Sequence, residues 1–159
     1  MSSKMLCMLV RVAIIAVVFC GLLIFGFLIP IEAYGFAASN PDLAFWRWPW
    51  LIFLWSVSLP FFAVLAYAWK VSTAIRQDRV FTLQTAKWVK NGAFLTFADI
   101  GLFILGNAVF AVLDMSGPPI VMMSLVVIII GSALGVCAAV LSRYITKAAE
   151  LQEDNEGTI

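Results

Sequence analysis

Four long apolar runs, separated by short polar stretches, dominate the hydropathy pattern of the chain. Each run approaches the roughly 20 residues that an α-helix needs to cross a bilayer. The pattern predicts spans at about residues 8–29, 50–69, 91–113 and 120–141. Helices are expected because an open strand cannot satisfy its backbone hydrogen bonds in lipid. We therefore predict an all-α fold, an integral-membrane four-helix bundle in which residues 1–159 form a single transmembrane domain.

Composition agrees with lipid as the main solvent of this chain. Hydrophobic residues make up 64% of the sequence and charged residues only 12%. A soluble domain averages about 45–50% apolar and about 25% charged residues. The net charge of +1 lacks the basic excess of nucleic-acid-binding proteins. Membrane lipid is thus an expected partner, and direct nucleic-acid binding is not.

Lysine and arginine are distributed unevenly between the two sides of the predicted spans. One side carries only Arg47, in the connection between the first two spans. The other side carries Lys4, Arg11, Lys70, Arg76, Arg79, Lys87, Lys90, Arg143 and Lys147. The side richer in basic residues is normally cytoplasmic. We therefore expect both termini, the loop at 70–90 and the tail at 142–159 on the cytoplasmic side of a bacterial plasma (inner) membrane.

The sequence offers little material for catalysis or metal binding. It contains no histidine, the commonest metal ligand and proton carrier at neutral pH. Its three cysteines, Cys7, Cys20 and Cys137, form no CxxC pair and lie in or beside apolar runs. We find no nucleophile–base pair and no phosphate-binding loop. We predict no enzymatic activity, no catalytic residue, no metal and no cofactor.

Asp99 is the one acidic residue deep in a predicted span. An ionised carboxylate at that depth costs about 2.5–3.5 kcal/mol on insertion scales, so we expect the neutral acid. One interpretation is a structural acid hydrogen-bonded to Thr96 or Asn107, which lie on or near the same helix face, or to a hydroxyl on a neighbouring helix. The other is an intramembrane proton or cation site. The structural interpretation is favoured, because a lone acid makes a poor proton relay.

A stripe of small residues on the fourth span predicts a close helix contact. Gly131 and Gly135 form a GxxxG pair, and Ser124 and Ala138 lie on the same face. Small residues allow helix backbones to approach, and a buried hydroxyl can form a hydrogen bond across the contact. We predict that these four residues pack against another helix. The pattern leaves open whether the contact lies inside the bundle or in a homo-oligomer.

Charged residues of both signs flank the third and fourth spans on the predicted cytoplasmic side. The basic ones in the loop include Arg76, Arg79 and Lys87. The acidic ones in the tail include Glu150, Glu153 and Asp154. We expect the tail to continue the fourth helix into water, so ordinary topology charge and a solvated helix end explain both groups. The alternative is a surface that binds a cytoplasmic protein, with the two groups acting together.

Two segments of the chain resemble a known family. The tail AELQEDNEGTI at 149–159 resembles the terminal signature of the bacterial domain of unknown function 2975 family. The loop segment IRQDRVFT at 75–82 resembles the turn before the third span in that family. The resemblance implies a small plasma-membrane protein without assigned chemistry. It also implies a small helix-turn-helix regulator as a partner.

Two hypotheses of function follow from these observations. The first is a regulatory or interaction protein that engages a cytoplasmic partner through the loop and the tail. The second is a small proton- or cation-coupled transporter that uses Asp99. The first is favoured because both segments that carry the family resemblance lie on the predicted cytoplasmic side.

Overall fold

The computed structural model describes residues 3–39, 41–115 and 118–156 and is helical nearly throughout. Its elements are α1 (Ser3–Leu23), a π-helical turn (Ile24–Leu28), α2 (Ile29–Ser39), a 3₁₀ helix (Pro41–Trp46), α3 (Arg47–Arg76), α4 (Leu83–Val112) and α5 (Pro118–Glu156). Four stretches are long and apolar enough to span a membrane: Lys4–Ser39, Ala44–Arg76, Leu83–Val112 and Ile120–Asp154. The described ranges contain no strand. The predicted all-α class with four spanning helices is confirmed.

The helices extend further than the apolar runs predict. The first one continues through Pro30, where the pattern places its end, up to Ser39. Most of the predicted loop at 70–90 is also helical, because α3 ends only at Arg76 and α4 begins at Leu83. The predicted continuation of the fourth helix into the tail is observed as far as Glu156. Residues 157–159 of the predicted tail lie outside the described ranges.

Pro30 is accommodated by the π-helical turn that precedes it. In this turn the Ile29 N–H donates to the carbonyl of Ile24, five residues back. The next bond in that register would run from residue 30 to Phe25, but proline has no N–H. The indole Nε1 of Trp55 on α3 donates to the Phe25 carbonyl instead, at 3.1 Å. A side chain of α3 therefore supplies the hydrogen bond that the proline removes.

The four spanning helices contact one another in chain order. Among the described residues, α1 contacts α3, α3 contacts α4, and α4 contacts α5. Neither α1 with α4, α1 with α5, nor α3 with α5 makes a contact in the described ranges. The bundle is therefore an open row of antiparallel helices, with α1 and α5 at its two edges.

Each of the three interfaces in the row brings a bulky side chain onto a glycine. A β-carbon added to Gly21 on α1 would lie 2.9 Å from the Phe61 ring of α3. A β-carbon on Gly106 of α4 would overlap the Phe53 ring of α3. These glycines are required for close approach of the helices.

The interface between α4 and α5 follows the same design with the roles exchanged. Here the glycines lie on α5, and the bulky side chains come from α4. A β-carbon on Gly135 would lie 3.1 Å from the Phe97 ring, and one on Gly131 would lie 3.3 Å from Ile100. The GxxxG pair thus lies against α4 within one chain.

Replacement of Gly106 with alanine tests this packing. The new β-carbon would overlap the Phe53 ring, and overpacking of this kind costs about 1–3 kcal/mol. Gly101 on the same helix has open space around its Cα, so Gly101→Ala is a matched control. We expect Gly106→Ala to lower the unfolding midpoint in detergent and Gly101→Ala to leave it unchanged or raise it. Equal midpoints for the two variants would contradict the packing.

A double-mutant cycle tests the bond between Trp55 and the Phe25 carbonyl. Trp55→Phe should cost about 0.5–1.5 kcal/mol when the carbonyl loses its donor. In a Pro30→Ala background the new N–H restores a backbone donor, so the same change should cost less. Unfolding free energies of the four proteins give the coupling. A coupling of zero would show that Trp55 does not replace the proline N–H.

Candidate functional site

The basic residues of the described chain concentrate at one end of the row. Because consecutive helices are antiparallel, the start of α1, the end of α3, the start of α4 and the end of α5 lie together. We call residues 76–90 and 142–154 the charged end. The structure itself does not assign this end to a side of the membrane, so its cytoplasmic location stays a prediction.

The turn between α3 and α4 is held by a backbone cap. The Arg79 N–H donates to the Ala74 carbonyl at 3.0 Å, and the Asp78 N–H donates to the Ile75 carbonyl at 3.2 Å. This is the Schellman pattern, which requires a left-handed residue after the helix end. Asp78 fills that position with a φ of 52°, although glycine is the usual residue there. The cap fixes the direction in which the chain leaves α3.

Two threonines fasten the other side of the same turn. Thr82 is the N-cap of α4, as its side-chain oxygen accepts a bond from the Thr85 N–H at 3.2 Å. The Thr85 hydroxyl, which is 1% exposed, donates to the Arg79 carbonyl at 3.2 Å. The connection is therefore an ordered turn of six residues, 77–82. The side chains of Arg76, which ends α3, and of Arg79, within the turn, are exposed.

The last turns of α5 remain packed on the molecule beyond the apolar span. Ile145 and Ala149 are each only 4% exposed. The α4–α5 register, set by Phe97 against Gly135, places Ala149 beside the first turn of α4. Continuing this register brings Glu153 to the level of the turn at 77–82. The tail therefore extends to the level of the turn.

All six charged residues predicted for an interaction surface lie at the charged end and are exposed. They are Arg76, Arg79, Lys87, Glu150, Glu153 and Asp154. The basic group is carried by the end of α3, the turn and α4, and the acidic group by α5. The arrangement is a surface with both signs of charge on an ordered helical support. Such a surface favours a partner of complementary charge pattern.

A polar cluster between α1 and α3 was not expected from the sequence. Arg11 donates from Nε to the Ser72 hydroxyl at 3.1 Å and from Nη2 to the Thr73 hydroxyl at 3.3 Å. Its guanidinium also lies 4.9 Å from the centre of the Trp69 ring. The Cys7 thiol donates to the carbonyl of Ser72, a residue that is fully buried. Arg11 is therefore engaged by α3 and does not serve as a cation for Asp99.

Asp99 is half-buried, and its Oδ1 is buried without a hydrogen-bond partner among the described residues. Neither partner proposed from the sequence reaches it. The Thr96 hydroxyl donates to the Gly92 carbonyl at 3.0 Å, one turn back on α4. Asn107 is occupied by α5 and by its own helix. A structural acid held by these two residues is therefore not what the structure shows.

The register of α3 and α4 identifies what faces Asp99. Gly92 lies against Tyr67, and Gly106 lies against Phe53. Asp99 is midway between the two glycines, and Pro60 is midway between the two aromatic residues. The acid therefore lies at the level of Pro60. Because proline has no N–H, the Ser56 carbonyl one turn away lacks its helical donor.

The predicted packing stripe on α5 points to α4. Ser124 is 8% exposed, and its hydroxyl donates to Oδ1 of Asn107 at 2.7 Å. The Asn107 amide in turn donates to the Phe103 carbonyl at 2.8 Å. Ala138 is half-buried. Asn107 thus pairs with the α5 stripe rather than with Asp99.

Comparisons with known proteins agree with this architecture. Residues 31–159 match the model of a family described as protein of unknown function (DUF2975). The chain belongs to this family. It is also 26% identical over 136 residues to the uncharacterized membrane protein YoaS of Bacillus subtilis (strain 168), which covers 84% of each chain. No solved structure matches it.

The family assignment confirms the resemblance drawn from the tail and the turn. The match begins just after Pro30, so α3 to α5 and α2 from residue 31 lie within it, and all of α1 precedes it. The name of the relative states a membrane protein and gives no activity. That name agrees with the four apolar helices of this chain, which are long enough to span a membrane.

Two substitutions at Asp99 separate its neutral and ionised forms. We expect Asp99→Asn to keep the unfolding midpoint within the range of the wild type, because the amide matches the neutral acid in size and hydrogen-bonding capacity. The infrared difference spectrum between the wild type and Asp99→Asn, recorded in bilayers at pH 7, should show the carbonyl band of a protonated carboxylic acid. This band should come from Asp99 of the wild type. A carboxylate band in its place would contradict the neutral form, as would a large change in midpoint for Asp99→Asn.

Proposed function

We propose that this chain is a regulatory or interaction protein of a bacterial plasma membrane, which binds a cytoplasmic protein through its charged end. The observation that carries this proposal is the ordered support of the surface. The turn at 77–82 is capped on both sides, and α5 stays packed through Ala149, far beyond its apolar run. Charged residues that served only to set the orientation of the spans would not need such an ordered support.

The charge pattern indicates what kind of partner would fit. We call the exposed Arg76, Arg79 and Lys87 the basic patch of this end, and the exposed Glu150 and Glu153 are the acidic residues that α5 brings to the same end. Exposed charges of this kind steer association and select against partners with like charges. A small helix-turn-helix regulator is the partner class suggested by the family resemblance. The DNA-binding protein would then be the partner, and this chain would not contact nucleic acid directly.

We propose no enzymatic activity for this chain. The sequence supplies neither histidine nor a nucleophile–base spacing. An interaction protein requires neither, because its output is the presence or absence of a bound partner. The plasma-membrane location rests on the helical spans together with the bacterial relative.

A small proton- or cation-coupled transporter is the second candidate, and one observation favours it. The buried Oδ1 of Asp99 has no partner among the described residues and lies at the level of a proline in α3. An intramembrane carboxyl group whose buried oxygen has no partner is a candidate to take up and release a proton. A row of four helices encloses no pathway by itself, so a carrier of this kind would need a second copy.

Charge reversal in the turn tests the interaction. Crosslinking in intact cells followed by purification should recover one protein partner with the wild type. Arg76→Glu together with Arg79→Glu should reduce that recovery by roughly an order of magnitude, because each change places a negative charge opposite the negative charge of the partner. Lys4→Glu is the control, since it changes charge at the same end of the row but on α1.

Three results would contradict the interaction. They are unchanged recovery with the turn variant, equal loss with Lys4→Glu, and no recovered protein with the wild type. Proton uptake by vesicles containing the wild type, abolished by Asp99→Asn, would instead support the transporter. The amounts of inserted protein must match in all variants.

A further inference from the structure

We propose that the groove between α4 and α5 at the charged end binds an anionic phospholipid. The groove has a volume of about 560 Å³. It is lined by Lys90, Phe94 and Phe97 on α4 and by Arg143, Lys147 and Glu150 on α5, among others. Its cations are distinct from the basic patch of the proposed protein interaction, because Arg76, Arg79 and Lys87 do not line the groove, and Glu150 is the residue that the two surfaces share.

The position of the groove along the helices places it at the membrane boundary. Lys90 directly precedes the apolar part of α4, and Arg143 directly follows the apolar run of α5. Lys147 lies one turn further from the membrane. Phe94 and Phe97 lie one and two turns deeper than Lys90. The groove therefore spans the region where phospholipid headgroups and the first acyl carbons are found.

The two ends of the groove differ in chemistry. The outer end of the groove, by which we mean the end farther from the membrane centre, carries three cations and one carboxylate. This leaves a surplus of two positive charges. The inner end is formed by aromatic rings, and Phe94 is 73% exposed. A phospholipid with a net negative headgroup has the matching polarity, with an anion at one end and acyl chains at the other. A soluble anion would leave the aromatic end uncovered.

Lys90, Arg143 and Lys147 are exposed side chains on well-packed helices. The two helices are held together below these side chains, because the Phe97 ring lies against Gly135. The helices therefore hold the bases of the three side chains at set positions, while each side chain can reach a phosphate. Arginine can bind a phosphate with two parallel hydrogen bonds, and lysine acts as a point charge.

Native mass spectrometry of the full chain tests the proposal. The protein is released from mixed micelles that contain equal amounts of phosphatidylglycerol and phosphatidylcholine. We expect retained phosphatidylglycerol and little retained phosphatidylcholine. Arg143→Gln, Lys147→Gln and Lys90→Gln should each weaken retention about fivefold, the effect of one basic residue near an anionic membrane surface. Glu150→Gln should strengthen it.

Lys87→Gln is the matched control, because Lys87 is an exposed lysine one turn from Lys90 that does not line the groove. It should leave lipid retention unchanged. Equal weakening by Lys87→Gln and Lys90→Gln would overturn the site in favour of diffuse attraction. Displacement of the lipid by inorganic phosphate would show an anion site without lipid specificity and would also overturn it. So would equal retention of the two lipids by the wild type.

Discussion

Close approach of helix backbones at glycine is the constraint on which the rest of this structure depends. In a bilayer, apolar side chains gain little from leaving lipid for one another, so helix association relies on tight packing and hydrogen bonds between helices. All three interfaces of the row supply tight packing, and two of them also supply hydrogen bonds. Rings lie on Gly21, Gly106 and Gly135, and polar bonds link α1 to α3 and α4 to α5.

The row also explains where the polar groups of the spans are found. Each inner helix has two packed faces, and Asn107 faces α5 while Asp99 lies on the stripe that faces α3. Asn107 lies eight positions after Asp99, which corresponds to a rotation of about 80° on a helix. Asn107 therefore has a hydrogen-bond partner in Ser124, whereas Asp99 lies at the level of Pro60 on α3. The buried Oδ1 of Asp99 has no hydrogen-bond partner among the described residues.

The sequence predicted the four spanning helices, the continuation of α5 into the tail and the small-residue stripe that lies against α4. Apolar runs and residue spacing contain that information because lipid forces helices. The course of the chain at Pro30 was not predictable in the same way. At Pro30 the freed Phe25 carbonyl finds a replacement donor in Trp55, 25 residues further along the chain than the proline.

The candidate sites were predictable to a similar extent. The charges of the turn and the tail could be named from the sequence, and so could Asp99. Their support could not, because it depends on backbone geometry. A left-handed Asp78 and a Thr85 hydroxyl that reaches back to the Arg79 carbonyl have no signature in hydropathy. The Arg11 cluster was missed because its partners, Ser72 and Thr73, lie about sixty residues away in the chain.

The most direct test of the open row is the distance between its two edges. Spin labels at Met8 and Tyr144, both exposed near the charged end, report on α1 and α5. The background would replace the exposed Cys20 and Cys137 and retain the buried Cys7. Labelled protein in bilayers, diluted with unlabelled protein, gives the distance within one chain by double electron–electron resonance. Three interaxial spacings of about 8–10 Å predict a separation of roughly 25–30 Å between the helices. A separation of about 10 Å would place α1 against α5 and show a closed bundle instead.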